Sequence, residues 1–446
     1  MTRRETLLRF AETRTPRYTS YPTVPHFHTG VGPADQARWL SALDPAEPVS
    51  LYIHIPYCRQ LCWYCGCNTR ATTQDGPIIA YMERLLAELT LVADRLPSRM
   101  RISHFAMGGG TPAILSPQQI DGLMEAVRAR FDFLPEAELA IEIDPRHFTR
   151  ADADGLSRNG FTRASTGVQS FDPAVQAAIN RIQPWELVAI TFDRLREAGV
   201  PAINIDLLYG LPRQNIASAI ASAEAAAELE PDRLAVFGYA HVPHMKAHQR
   251  LINEAELPGA GARLDQADAI ETVLTDYGYR MIGIDHYARP WDPMAAALNA
   301  GTLRRNLQGY TTDPAQTLIG LGASAIGASP QGYVQNASDV RSWGAAVEAG
   351  ILPVARGIAL TDDDRVRRTI IEQLMTYLTA DPAAIARREG MPVPEIDLQA
   401  LETAGILTRT GTAIRINPAY RPLARLAAAA FDAHLPRSTA RHSVSV

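Results

Sequence analysis

The hydrophobic pattern between residues 51 and about 241 alternates short β-rich runs with amphipathic stretches of helical period. The runs predict strands at 51–56, 101–107, 138–144, 164–170, 201–210 and 233–241. The stretches between them predict helices at 78–95, 116–130, from Thr149 onward, at 184–198 and at 214–229. Successive strand–helix units of this kind predict a parallel sheet with right-handed crossovers.

Polar residues interrupt the predicted strands in a regular way. Glu142, Gln169 and Asp206 lie near the carboxyl ends of three strands. Their neighbours at odd offset, such as Ile141 and Ile205, lie on the opposite face, which helices would cover. A polar wall on the face away from the helices favours the inside of a barrel over a sheet covered on both sides.

The first predicted strand shows the same alternation, with Tyr52 and His54 on the face opposite Leu51, Ile53 and Ile55. We therefore expect an α/β fold built on an incomplete (β/α)6 barrel. Active sites in such barrels lie at the carboxyl ends of the strands, where the polar residues are concentrated.

The remaining segments predict an N-terminal extension and a smaller C-terminal unit. Residues 1–50 precede the barrel and would lie over its active site, and residues 243–355 predict helical and loop segments that cover the barrel mouth within a 51–355 domain. From Thr361 the pattern becomes helix, short β pair and helix, typical of a small, mostly helical winged-helix-like domain over 356–436. Residues 437–446 predict a disordered tail.

Composition and charge restrict the possible functions. Hydrophobic residues make up 46% and charged residues 20% of the 446, as in an ordinary folded protein, and the net charge of -5 does not favour nucleic-acid binding. No signal peptide or membrane-spanning run is evident, so we expect a cytoplasmic protein with free thiols. Lys246 is the single lysine, so anionic groups would mostly meet arginine.

All four cysteines lie within ten residues, at Cys58, Cys62, Cys65 and Cys67, directly after the first strand. Thiols this close predict a metal centre. Sulfur-only ligation favours an iron–sulfur cluster, while zinc held by the same thiols in a scaffold protein is the alternative.

The Cys-x3-Cys-x2-Cys spacing after a first barrel strand resembles the radical S-adenosylmethionine enzymes. The longer string at 52–68 is similar to the oxygen-independent coproporphyrinogen III oxidases, which add a fourth cysteine. Further stretches that resemble the same family are PRYTSYPT (16–23), GGGTP (108–112), IEIDPR (141–146), GVQSF (167–171), NIDLLYGLP (204–212), GIDHYARP (283–290), NLQGYTT (306–312) and RGIALTDDD (356–364).

The resemblance implies a set of roles for individual residues. Cys58, Cys62 and Cys65 would bind a 4Fe-4S cluster whose open iron takes S-adenosylmethionine. Two molecules of S-adenosylmethionine are implied. Residues implied for the first are Tyr52, Tyr64, Gly109, Glu142 and Ile326. Residues implied for the second are Gly110, Thr111, Gln169, Arg181, Asp206 and Ala240. Cys67 would lie near the second molecule and the substrate rather than on the cluster, or it is a plain loop residue. The alternative for glycines 108–110 is an ordinary tight turn, and the alternative for Arg181 is a solvated charge on a surface turn.

The implied reaction is the oxidative decarboxylation of two propionates of coproporphyrinogen III to vinyl groups, giving protoporphyrinogen IX, after hydrogen abstraction by a 5′-deoxyadenosyl radical. Arg17, Arg289 and Arg305 are candidates to hold propionates, with solvent-facing arginines as the alternative. A low-potential donor of the flavodoxin or ferredoxin type would supply electrons to a monomer. The alternatives are a haem chaperone of the same fold and another tetrapyrrole-modifying radical enzyme. Cys67 and the PRYTSYPT extension favour the oxidase.

Overall fold

The computed structural model describes residues 2–11 and 13–435. The helices are α1 Arg3–Ala11, α2 Pro33–Ser41, α3 Gly76–Ala93, α4 Pro117–Arg130, α5 Arg150–Arg158, α6 Pro173–Ala178, α7 Trp185–Ala198, α8 Ile216–Glu228, α9 Ala260–Asp276, α10 Pro293–Ala300, α11 Val340–Glu348, α12 Asp362–Tyr377, α13 Pro382–Arg388, α14 Gln399–Thr403 and α15 Ala424–Ala429. Short 3-10 turns lie at Val24–His26, Pro112–Ile114, Ala247–Leu251, Glu254–Glu256 and Pro418–Leu423.

The strands follow the same order along the chain. They are β1 Val49–Ile55, β2 Tyr57–Cys58, β3 Arg70–Ala71, β4 Arg101–Gly109, β5 Asp132–Ile143, β6 Arg163–Gln169, β7 Ala202–Tyr209, β8 Arg233–Gly238, β9 Arg280–Ile282, β10 His286–Ala288, β11 Arg304–Asn306, β12 Gly309–Thr311, β13 Thr317–Leu321, β14 Ile326–Ser329, β15 Gly332–Asn336, β16 Val354–Ala359, β17 Thr379–Ala380, β18 Leu407–Thr410 and β19 Ala413–Ile416.

One large curved sheet organises the molecule, with the strand order β16-β15-β14-β13-β1-β4-β5-β6-β7-β8-β10-β9. Its centre consists of the six predicted strands, now β1 and β4 to β8, which pair in parallel in sequence order. Because β16 and β9 form separate edges, the barrel stays open. The prediction of an incomplete (β/α)6 barrel is confirmed.

The alternation predicted within the strands is also confirmed. Ile141 and Ile205 are at most 1% exposed and belong to the main hydrophobic core between sheet and helices. Glu142 and Asp206 lie on the opposite face and line a cavity inside the barrel. The period of two in β5 and β7 therefore separates a packed outer layer from a polar interior.

The prediction for residues 243–355 was wrong in part, because this region adds strands to the sheet. β13 pairs in parallel with β1, and β14, β15 and β16 follow it as antiparallel neighbours. β10 and β9 extend the other edge beyond β8. These strands are only three to six residues long, too short for a clear hydrophobic period.

The C-terminal region and the N-terminal extension share a second hydrophobic core. Leu7 and Ala11 of α1 lie in one buried cluster with Ile370 of α12 and Leu423. The C-terminal part contains a three-stranded sheet in the order β17-β19-β18 beside its helices. The extension is therefore held by the C-terminal region as well as by the barrel. The tail predicted at 437–446 lies outside the described residues.

Residues 2–11 and 13–435 include no helix that is both long enough and apolar enough to cross a bilayer.

Candidate functional site

The four cysteines lie on a loop that follows β1 and is fixed by backbone contacts to other elements. The amide of Trp63 donates to the carbonyl of Ile179 over 2.9 Å. The Gln249 amide group donates to the carbonyl of Tyr64 over 2.9 Å. His248 Nε2 donates to the carbonyl of Cys65 over 2.7 Å, and Lys246 donates to that of Cys67 over 2.9 Å. The segment after β8 therefore holds the loop in place from one side.

Cys58 begins the loop next to two hydroxyl groups. The Thr111 hydroxyl donates to its sulfur over 3.3 Å, and the Thr69 hydroxyl lies 3.2 Å from the same atom. Burial raises the pKa of Cys58, and the hydroxyls counteract part of that rise. Thr111, implied for S-adenosylmethionine, thus lies beside a predicted cluster ligand.

Cys62 is 6% exposed and lies against two guanidinium groups. Arg181 Nη1 is 3.4 Å and Arg146 Nη2 3.5 Å from its sulfur. Both arginines also pair with Asp144, Arg146 at 2.5 Å and Arg181 at 3.6 Å. Burial raises the pKa of Asp144, but the charges of Arg181 and Arg146 outweigh it and lower that pKa to about 2. The two guanidinium groups therefore place positive charge beside the Cys62 sulfur.

Cys65 and Cys67 are paired with each other. The Cys67 thiol donates to the Cys65 sulfur and lowers the pKa of Cys65 to about 6, while burial opposes that shift. The same bond raises the pKa of Cys67. Cys67 lines the interior cavity of the barrel, unlike the three other thiols. The loop therefore contains one thiol with a lowered pKa, Cys65, and one thiol that lines the cavity, Cys67.

This donor set fits the expected cluster. Soft thiolate ligands suit iron–sulfur centres, and hydroxyls, guanidiniums and a thiol lie beside the sulfurs of Cys58, Cys62 and Cys65 to stabilise their charge. In residues 2–11 and 13–435, no three His, Cys, Asp or Glu side chains gather closely enough around one point to hold a single metal ion.

The glycines at the end of β4 are required by neighbouring protein atoms. A Cβ on Gly109 would lie 2.5 Å from the His54 ring, and the residue has φ of +117°. A Cβ on Gly110 would lie 2.6 Å from the carbonyl oxygen of Tyr57. The turn is therefore tight because strand β4 passes close to β1 and the cysteine loop.

His54 connects the barrel wall to the cysteine loop, a role not predicted from the sequence. Its Nε2 donates to the carbonyl of Asn68 over 2.9 Å, so its Nδ1 accepts from the Tyr52 hydroxyl at 3.1 Å. Burial lowers the pKa of His54, which keeps the ring neutral. The sequence signal for this role is that His54 and Tyr52 lie on the same face of β1. The contribution of Asp144 and Arg146 to the surroundings of Cys62 was also not predicted, although both residues lie in the IEIDPR string.

The interior cavity measures about 600 Å³ and lies below the cysteine loop. Glu142 accepts the amide of Gly109 over 3.0 Å, and burial raises its pKa. Asp206 lines the same cavity, and burial together with the charge of Glu142 raises its pKa to about 7. These carboxyls are suited to bind hydroxyl or ammonium groups of a ligand, which would offset the cost of their burial.

The predicted site residues do not all line one cavity. Those that line the interior cavity are Tyr52, Cys67, Gly109, Glu142, Asp206 and Ile326. Tyr64 packs in a hydrophobic cluster beneath the loop, and Gln169, at φ +72°, ends β6 with its side chain 8% exposed. Arg181 is 6% exposed and also donates to the carbonyl of Gly167, so it is not the solvated charge that its position alone indicated. Ala240 and Arg17 line a second cavity.

Two of the arginines predicted to hold propionates are engaged elsewhere. Arg289 lies 4.0 Å over the Tyr279 ring, donates to the carbonyl of Tyr277 and lines neither of the two large cavities. Arg305 is 9% exposed and donates to the carbonyls of Arg17 and Tyr18. Its guanidinium therefore fastens the N-terminal extension. Sequence position alone does not show where so long a side chain ends.

Comparison with known proteins adds a consistent set of relatives. The Radical SAM superfamily model matches residues 52–226. The oxygen-independent coproporphyrinogen III oxidase of Bradyrhizobium diazoefficiens is 48% identical over 443 residues, which cover 98% of each chain. The protein of that name from Cereibacter sphaeroides is 43% identical over 428 residues, 95% of each chain. The solved coproporphyrinogen III oxidase of Escherichia coli, described as a radical SAM enzyme, superposes with a TM-score of 0.89 at 37% identity, over 94% of this chain and 97% of that one.

Proposed function

Because this chain belongs to the oxygen-independent coproporphyrinogen III oxidases of the radical SAM superfamily, we propose that the cavity beneath the cysteine loop is where propionates of its substrate react. Family membership gives the overall activity: the enzyme oxidises coproporphyrinogen III without oxygen in haem biosynthesis, using a 4Fe-4S cluster and S-adenosylmethionine. What we propose is how individual residues of the chain contribute to this activity.

One observation carries the assignment. The cysteine loop, the thiol of Cys67 and the carboxyls of Glu142 and Asp206 converge at the carboxyl ends of the central strands, around one cavity of about 600 Å³. Such convergence of perturbed titratable groups in an interior cavity is typical of an active site.

We assign the cluster to Cys58, Cys62 and Cys65. When bound, the cluster and S-adenosylmethionine would supply the radical chemistry of the reaction, in which a propionate becomes a vinyl group by losing a β-hydrogen atom, carbon dioxide and one electron that passes to a separate acceptor. The residues of the chain hold and orient the reactants. Arg181 and Arg146 support the charge at Cys62, His54 fixes the loop at Asn68, and the barrel wall excludes water.

The order of strands supports two S-adenosylmethionine molecules. The residues implied for the first lie mainly on β14, β1, β4 and β5. Of those implied for the second, Gln169, Asp206 and Ala240 lie on β6, on β7 and after β8, further along the sheet order. Glu142 on β5 and Asp206 on β7 would each take the polar groups of one molecule.

Binding stoichiometry tests this assignment. Equilibrium dialysis of the reconstituted enzyme should give two S-adenosylmethionine molecules per chain, and Glu142→Gln or Asp206→Asn should each remove one of them. A wild-type stoichiometry of one contradicts the proposal. Exposed Asp193→Asn on α7 serves as the matched control and should retain both.

We further propose that the enzyme works in the cytoplasm as a monomer and receives electrons from a low-potential flavodoxin- or ferredoxin-type donor. The activity is measured anaerobically with reductant, S-adenosylmethionine and coproporphyrinogen III. Protoporphyrinogen IX and 5′-deoxyadenosine should form together. Stable haem binding with no decarboxylation would instead assign the chain to the haem chaperones.

A further inference from the structure

A second cavity, of about 460 Å³, opens beside the carboxyl ends of β7 and β8. Its walls are the N-terminal extension, α9, α15 and the ends of those strands. Within the described part of the chain, four arginines line it: Arg14, Arg17, Arg263 and Arg425. The family resemblance assigned a role to only one of them, Arg17.

Arg263 is built into the strand ends. A Cβ on Gly210 would lie 2.5 Å from its Nη1, and a Cβ on Gly238 would lie 2.9 Å from its Nη2. Both glycines therefore leave the room that this guanidinium occupies. Its Nη1 donates to the carbonyl of Tyr239 over 2.9 Å, whereas its buried Nε has no hydrogen-bond partner among the described residues. A buried donor without a partner is costly unless a ligand satisfies it.

The other arginines place more positive charge around the same space. Arg17 donates to the carbonyl of Gly238 over 2.9 Å and lies 6.0 Å from the centre of the Phe237 ring. Arg425 is 7% exposed, and burial together with the charge of Arg17 lowers its pKa to about 10. Arginines crowded this closely favour an anion between them.

Three carboxyl groups share the wall with the four arginines. Asp268 pairs with Arg3 of α1 at 2.6 Å. Asp285 lies 2.6 Å from His286. Burial raises the pKa of Glu271, and the charge of Arg421 opposes that shift.

The second cavity adjoins the first. The Phe237 ring lines both, and the Asp285–His286 pair crosses between them, with Asp285 on the wall of one and His286 on that of the other. Tyr209, Tyr239 and Tyr287 add aromatic surface beside the arginines. A ligand with a flat apolar body and several carboxylates matches this lining.

We propose that the arginine-lined cavity binds the substrate propionates that are not reacting, while the reacting propionate enters the interior cavity past Phe237. This inference rests on the proposed function, because it requires the tetrapyrrole to be the substrate. Arg263 is the central specificity residue, and Arg14, Arg17 and Arg425 surround it.

Ligand binding to the reconstituted enzyme tests the proposal. Coproporphyrin III, the stable oxidised form with the same four propionates, is titrated by its fluorescence, with its tetramethyl ester as the uncharged probe. Arg263→Gln should weaken coproporphyrin binding about tenfold or more, as expected when one charge-assisted contact is lost, and should leave ester binding unchanged. Arg158→Gln, on the exposed face of α5 and outside both cavities, is the matched control and should bind as wild type.

Other outcomes overturn the proposal in distinguishable ways. Weaker S-adenosylmethionine binding with unchanged coproporphyrin binding would assign the arginines to a methionyl carboxylate. Unchanged affinity for coproporphyrin III and for its tetramethyl ester would indicate that Arg263 only supports the ends of β7 and β8. If Arg263→Gln does not fold, Arg17→Gln, whose side chain is exposed, carries the same test. Wild-type turnover of coproporphyrinogen III, measured in the same preparation, separates failure of this inference from failure of the proposed function.

Discussion

Arg181 Nη1 donates to the sulfur of Cys62 over 3.4 Å, and the same guanidinium pairs with Asp144 at 3.6 Å. The contact joins the loop after α6 to the cysteine loop and to the end of β5. A residue that sequence position alone would leave in solvent therefore supports a thiol at the centre of the site.

Arg181→Gln should destabilise the fold by about 2 kcal/mol, less than for a fully broken buried pair because Asp144 keeps Arg146 as a partner. Above the ordinary carboxyl pKa of 3.8, the ionised Asp144 stabilises the fold through its two arginines. This stabilisation is lost as the pH falls through the folded pKa of about 2. The variant should therefore also unfold at a higher pH on acid titration. Circular dichroism during denaturant and acid titrations measures both effects. Arg158→Gln, from the exposed pair with Asp121, is the control, and equal acid unfolding in both variants would contradict the prediction.

Asp206→Asn should change the pH dependence of stability. The pKa of Asp206 is raised from 3.8 to about 7 in the folded protein. Between pH 3.8 and pH 7, therefore, the folded protein keeps a proton on Asp206, whereas the unfolded chain has released it. Wild-type stability should thus fall as pH rises through this range, by up to about 4 kcal/mol at 1.36 kcal/mol per unit. Asn has no such proton, so the stability of the variant relative to wild type should be greater at pH 8 than at pH 5. Denaturant unfolding at the two pH values measures this, and a constant difference would count against it.

Gly109→Ala should destabilise the protein by about 3 kcal/mol or more. The new Cβ would enter the His54 ring at 2.5 Å, in a backbone conformation with φ of +117°. Gly122→Ala on α4 is the matched control, since a Cβ there meets nothing within 4 Å, and it should be neutral or stabilise by up to about 1 kcal/mol. Thermal unfolding compares the two variants, and similar melting temperatures would refute the close contact.

Cys67→Ser should retain the iron–sulfur cluster, whereas Cys65→Ser should lose it. Cys67 is protonated and faces the cavity, while Cys65 is the ionised partner of the pair. Iron and sulfide analysis with visible absorption after anaerobic reconstitution measures the outcome. Equal cluster loss in both variants would make Cys67 a ligand.

Much of the barrel could be predicted from the sequence, because the parallel strands are long enough to show a period of two. Ile141 beside Glu142 and Ile205 beside Asp206 separate core from cavity in the printed letters alone. The short strands β13 to β16 could not be predicted in this way, since a four-residue segment such as Ile326–Ser329 has no clear period.

The location of a site residue was predictable where the backbone decides where its side chain lies. The cysteines and the carboxyls of β5 and β7 lie where strand ends must bring them. Arginines were less predictable, because a guanidinium lies several bonds from its backbone. Arg305 ends under the extension and Arg289 over Tyr279, and neither partner is close in sequence.

The shared core of α1 and the C-terminal region has a consequence for synthesis. Leu7 and Ala11 leave the ribosome hundreds of residues before Ile370 and Leu423, the partners that bury them. Until those partners emerge, the extension that carries Arg14 and Arg17 lacks most of the hydrophobic surface against which it packs. The arginine-lined cavity is completed only when α15, which carries Arg425, has been made, so we expect a chain that ends before Ala424 to bind coproporphyrin III more weakly.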